Sequence, residues 1–202
     1  MQRQRKALYR TARHIAVSQY CIAFGKGIVT MNEAVKAIIE RSSCNQFKPE
    51  HLKKEEIDLI VKAGLAAPSG MNRQPQRFVV VQNPEVVKKL SAMNAAVMGR
   101  DGDPFYGAPD VIIVLVEKSG STYVQDGSLA LGNMLNAAYA MGLGGRWINR
   151  AKEMFESAEG KALLKEWGVE GDLEGIGCCI LGYPDMTLEP KEKIPGRVYY
   201  VD

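Results

Sequence analysis

At 202 residues and 46% apolar content the chain fits one globular domain, and no window reaches the apolar length of a membrane-spanning helix. The net charge of +3 is unevenly placed, because residues 1–32 carry Arg3, Arg5, Lys6, Arg10, Arg13 and Lys26 and no acid. Removing those six leaves 20 basic against 23 acidic residues, a body of net −3 without the basic footprint of a nucleic-acid binder.

The first thirty residues, acid-free and Arg-bearing, have the composition of an organellar transit segment. They also read as an upstream extension, since Met31 opens a self-sufficient helical pattern, so residues 1–30 are expected to stand outside the fold and 31–202 to form it. "MNEAVKAIIERSS" (31–43) sets Val35, Ile38 and Ile39 at helical spacing behind Asn32 as N-cap. A second helix over 53–67 carries Ile57, Ile60, Val61 and Leu65 on one stripe and stops at Pro68. "RFVVVQ" (77–82) predicts a strand, 85–98 a helix, 101–109 a loop and "DVIIVLVE" (110–117) a buried strand.

The longest helix is expected from about Val124 to Met141. "GLGGRWI" (142–148) breaks it and restarts as a brief strand, followed by two short helices over 151–167. "GIGCCILGYP" (175–184) predicts another buried strand, and "GRVYYVD" (196–202) a final extended segment. Helices interleaved with apolar strands predict one sheet covered by helices. Neither the G-x-G-x-x-G nor the P-loop fingerprint occurs.

Cys21, Cys44, Cys178 and Cys179 form no C-x-x-C pair and no metal-ligand spacing, which fits a reducing, cytoplasmic location; import through residues 1–30 is the alternative. His14 and His51 have no ligand cluster beside them in sequence, so no metal site is expected.

Four polar clusters sit where elements end. In "RSSCNQF" (41–47), Arg41, Ser42 and Ser43 offer charge-assisted hydrogen bonds to a phosphate, although an Arg at a helix C-terminus also serves the helix dipole. In "AAPSGMNRQPQRFVVV" (66–81), Asn72 and Gln74 present both donor and acceptor, which suits the edge of a planar heterocycle and equally suits ordinary turn chemistry. "GLGGRW" (142–147) permits close backbone approach to a ligand, or simply caps a helix at Gly142. Lys191, Lys193 and Arg197 either complete an anion site or line a solvated loop shared with Glu189 and Glu192.

In this order, and with "GAPDVIIVLV", "ALGNMLNAAYAMGLGGRWI" and "ILGYP", the clusters resemble the nitroreductase family of FMN-dependent oxidoreductases over residues 31–202. The resemblance implies an α/β (α+β) three-layer sandwich, with a central mixed, mainly antiparallel sheet flanked by helices, assembled as an intertwined homodimer. It places Arg41, Ser42 and Ser43 at the FMN phosphate and ribityl chain and Asn45 at the pyrimidine edge. Pro68, Ser69, Gly70, Asn72 and Gln74 fall beside the isoalloxazine ring, Gly144 and Gly145 at the turn whose N–H nears N5, and Lys193 and Arg197 at the phosphate.

The flavin rather than a catalytic side chain is then expected to carry the chemistry. NADH or NADPH is the implied reductant, and nitroaromatics, quinones or similar electrophiles are the acceptors, in a ping-pong scheme. Another FMN reaction, such as ene reduction or dehalogenation, and a flavin carrier with little turnover stay open on the same scaffold. Two departures from the family pattern stand out. Asn45 replaces a usual cation, which implies a lower flavin potential, and Gln76 stands where an aromatic residue commonly follows Gln-Pro.

Overall fold

The computed structural model describes residues 21–24 and 27–201. It divides into two units, Met1–Lys36 and Ala37–Asp202. In the first, β1 (Cys21–Phe24) and β2 (Gly27–Thr30) pair as an antiparallel hairpin. The rest of the segment expected to stand outside the fold, residues 1–20 and 25–26, lies outside the described residues. Helix α1 (Glu33–Glu40) starts behind the predicted cap: Asn32 Oδ1 accepts from Val35 N at 3.0 Å.

The second unit is built on a four-stranded sheet in the order β3 (Gln76–Val81), β4 (Asp110–Glu117), β6 (Leu173–Gly182), β5 (Gly144–Ile148). Every pairing among these four is antiparallel. β4 is buried from Asp110 to Val116 because both of its faces are covered. Val111, Ile113 and Leu115 pack with Leu90 of α3 (Pro84–Met98), with Met154 of α5 (Ala151–Glu156) and with Leu163 of α6 (Ala158–Glu166). Ile112 and Val114 pack the other way, with Ile60 of α2 (Lys54–Leu65) and with Leu131 and Met134 of α4 (Tyr123–Ala140). Period-two alternation therefore feeds two cores from one strand, giving the expected three layers.

The adjacent cysteines follow the same rule. Cys178 joins the first core and Cys179 the second, and both are fully buried. α4 starts one residue before the predicted Val124 and ends at Ala140, where Gly142, at φ +74°, turns the chain into β5. Residues 196–201, expected to be extended, join no strand among the described residues. No described helix is long and apolar enough to cross a membrane.

Candidate functional site

The segment after α1 lies along the free edge of β5. Cys44 N donates to Gly145 O at 3.1 Å, and the run continues beside the end of β6. There Lys48 N donates to Tyr183 O, Asp185 N donates to Gln46 O (both 2.9 Å), and Phe47 bridges to Pro184. Since the Gly145 oxygen points at Cys44 rather than at β6, strand alternation aims the Gly145 N–H along the same open edge. The seat is close. A Cβ on Gly144 would stand 2.8 Å from Cys44 Sγ and 3.0 Å from the Phe47 ring, so glycine is what lets the two segments meet.

Arg41 and Ser43 are half-buried on this seat, Ser42 is buried and Asn45 is exposed. Among the described residues Arg41 enters no ion pair, which leaves its guanidinium available to an anion. Burial pushes the Cys44 thiol up, while hydrogen bonds with the Gln46 and Asn45 backbone, and then the Arg146 charge, pull it back. Arg146 itself stacks 4.4 Å over the ring of Tyr106.

The opening loop of β3 forms a second, separate group. Asp126, buried in the first turn of α4, accepts from Gly70 N at 3.0 Å and from Thr122 Oγ1 at 3.2 Å. Ser69 Oγ accepts from Gln74 N at 3.0 Å, closing the loop, and Gln74 Nε2 donates to Asn72 Oδ1 at 2.9 Å. Met71, Asn72 and Gln74 all take left-handed backbone, at φ 53°, 54° and 51°. Three such non-glycine residues in four positions store strain, the kind of cost that clusters at ligand-binding loops. The two amides are exposed. Gln76, one strand position further, is buried, and its Oε1 has no hydrogen-bond partner among the described residues.

In one chain these two groups do not meet. Gly70 binds α4 at Asp126, whereas a Cβ on Gly145 would touch Ala138 of the same helix. Twelve helical residues separate those points, about 18 Å. The sheet agrees: Gln76 lies opposite Val116, while Gly145 is reached through Leu181 and Asp110, six residues and about 20 Å down β4. The two groups that the resemblance sets about the flavin thus lie at opposite ends of α4 within one chain.

Lys191, Lys193 and Arg197 lie in the exposed C-terminal segment, where Arg197 Nε donates to Ile194 O at 3.1 Å. No hydrogen bond among the described residues ties them to Arg41–Asn45. The sequence reading also missed a buried polar cluster: Asp110 accepts from His51 Nδ1 and Leu52 N, both at 2.7 Å, and from Gln82 Nε2 at 3.0 Å. Its partners lie 28 to 59 residues away, so no local spacing reveals it; the available signal was an acid opening an otherwise apolar strand. Among the described residues no three His, Cys, Asp or Glu side chains group as metal ligands.

The helix-covered antiparallel sheet, with a glycine-bearing edge strand along which residues 44–47 run, is a three-layer α/β sandwich of the kind seen in a nitroreductase structure. Comparison with known proteins agrees. The sequence model of the Nitroreductase family matches residues 38–101. An Archaeoglobus fulgidus protein, provisionally named NADH dehydrogenase/NAD(P)H nitroreductase, is 32% identical over 162 residues, covering 76% of this chain and 87% of that relative. An iodotyrosine deiodinase of Thermotoga neapolitana is 29% identical over 180 residues, covering 77% of this chain and 89% of the relative. The crystal structure of a Bacteroides fragilis nitroreductase with bound FMN superposes with a TM-score of 0.78 at 26% identity, covering 85% of this chain and all of the other. The chain belongs to the nitroreductase family.

Proposed function

We propose that this protein is an FMN-dependent oxidoreductase that uses NADH or NADPH to reduce nitroaromatics, quinones or similar small electrophiles. The observation that carries the reading is the seating of Arg41–Asn45 on the glycine edge of β5. It brings a guanidinium without an ion pair among the described residues, two hydroxyls and an outward backbone N–H to one edge, a donor set that fits a phosphate, a ribityl chain and a flavin ring edge. Bound FMN supplies the two-electron chemistry, accepting from the nicotinamide and giving to the acceptor in ping-pong order.

The chain's own residues bind and orient. Arg41, Ser42 and Ser43 hold the phosphate end, with Lys193 and Arg197 joining them from the C-terminal segment. The Gly145 N–H, beside Gly144, faces the ring, and Asn45 meets its pyrimidine edge. Pro68, Ser69, Gly70, Asn72 and Gln74 supply the other wall. Because that loop lies about 18 Å away along α4, the wall comes from a second copy, so the working unit is a homodimer. The unpaired C-terminal segment supports this. Val198, Tyr199, Tyr200 and Val201 are 68%, 87%, 82% and 98% exposed, an apolar arm suited to an edge of the partner's sheet.

A yellow preparation that bleaches with NAD(P)H and recovers in air is the expected result; a colourless protein after FMN addition and desalting refutes the reading. Mixing Arg41→Ala with Asn72→Ala/Gln74→Ala tests the shared site. Random pairing rebuilds about a quarter of intact sites from two defective parents, whereas a site within one chain rebuilds none. The deiodinase relative supports dehalogenation as a second reading, and an acceptor panel that includes a halogenated phenol separates the two.

A further inference from the structure

Beneath the 101–109 loop, against α3, lies a cavity of about 530 Å³ that shares no residue with the proposed flavin site. We propose that it is a second small-molecule site, taking an aromatic compound that carries one anionic oxygen. Its volume falls within the roughly 300–1,000 Å³ typical of ligand pockets. Pro49, Val87, Phe105 and Pro109 supply apolar walls, and the polar groups facing it sort into spent and unspent.

The acids are spent. Asp110, behind His51, has a carboxylate only 1% exposed and fully engaged by His51, Leu52 N and Gln82. Asp103 accepts from Phe105 N at 2.9 Å, from Gly107 N and from the Ser91 hydroxyl, so it clamps the loop. What remains is one cation and one ring nitrogen. With His51 Nδ1 donating to an acceptor-only carboxylate, Nε2 is the ring's open nitrogen and on the neutral ring an acceptor. Lys88 lines the same cavity and forms no ion pair among the described residues, whereas neighbouring Lys89 pairs with Glu159 at 3.2 Å. Lys88 is the group that meets the anionic oxygen, above apolar walls that take a planar ring, and His51 Nε2 accepts from a hydroxyl where the ligand carries one. Ser91 donates to Asp103 rather than to His51, so the cavity holds no nucleophile–base pair and is built to bind.

This inference stands apart from the flavin assignment, and its test reads binding alone. Benzoate and uncharged benzyl alcohol are titrated calorimetrically into the purified full-length protein and into Lys88→Met and Ala92→Phe, the latter filling the cavity from an exposed helix position. Circular dichroism checks that both variants keep the wild-type fold. Benzoate is expected to bind at least tenfold more tightly than the alcohol, to weaken about tenfold in Lys88→Met, and to be lost in Ala92→Phe. Absence of binding up to about 10 mM overturns the proposal. Binding unchanged in Ala92→Phe places the ligand elsewhere, and binding unchanged in Lys88→Met removes the acidic class; either overturns it as well.

Discussion

Gly144→Ala probes the seat on which the functional reading depends. The new methyl would stand 2.8 Å from Cys44 Sγ, 3.0 Å from Cys44 Cβ and 3.0 Å from the Phe47 ring. Neither neighbour has room to yield freely, since Cys44 is fully buried and Phe47 packs against the first core. Overpacking of this kind costs about 1–3 kcal/mol, met either by global stability or by lifting the 44–47 segment off β5. Lifting it displaces Arg41, Ser43 and the Gly145 edge together, so FMN affinity should fall about tenfold to a hundredfold, at about 1.4 kcal/mol per decade. Adding Cys44→Ala removes the 2.8 Å contact but not the 3.0 Å ones, and should recover about 0.5–1.5 kcal/mol as a coupling between the sites. Gly142→Ala is the control: nothing lies within 4 Å of its Cβ, and its φ of +74° makes it cost about 1 kcal/mol of stability without touching flavin. Melting curves and quenching of FMN fluorescence measure both quantities. A folded Gly144→Ala that binds FMN as tightly as wild type would show that the flavin does not depend on this seat.

Three further outcomes follow from the geometry. Asp110→Ala leaves the buried Leu52 N–H without its acceptor and should cost about 2–4 kcal/mol by urea unfolding; a loss under 1 kcal/mol would mean that the cluster adds little. Burial pushes the Cys178 thiol up to about 12 and Cys179 higher still, so both stay protonated in the fold while the unfolded chain ionises them near pH 8.5. Stability should therefore be indifferent to them below about pH 8 and fall as pH rises toward 12, by up to about 1.4 kcal/mol per unit for each thiol; Cys178→Ala should flatten that slope. Asn45→Arg places a cation at the exposed position proposed for the pyrimidine edge, and about 1 kcal/mol of added attraction raises the flavin midpoint potential by about 20 mV. No upward shift would refute that placement of Asn45.

Most elements could be read from apolar runs, because packing and pattern agree along them. "DVIIVLVE" matches β4 at both ends, and the Asn32 cap lies where predicted. The break and restart read over 142–148 appears as β5 from Gly144, while the boundary slipped for the strand read over 175–184, which spans Leu173–Gly182. On a strand with one wet face, adjacent Cys178 and Cys179 would leave one thiol in water; helices on both faces bury them both. How the candidate residues are placed was not readable from the sequence. Nothing in Asn72 or Gln74 announces left-handed backbone at three of the four positions 71–74, and the Asp110 cluster joins residues too far apart for any spacing rule.

The geometry of α4 links these observations. Its first turn anchors the strained amide loop through Asp126, and its last turns pack beneath the glycine edge that seats Arg41–Asn45. An 18-residue helix holds those two groups apart with a rigidity that no side-chain motion overcomes, so under the proposed function a single chain would carry two incomplete walls. A second chain related by a two-fold axis can face each wall with its complement and make two sites at once. Apolar residues left bare on the same helix, Leu129 at 49% and Val124 at 39% exposed, suit burial in that contact, as does the unpaired C-terminal arm. Flavin retention should then track assembly. Dilution that separates the protomers should release FMN in proportion, and a monomer that keeps its flavin would break the argument at its first step.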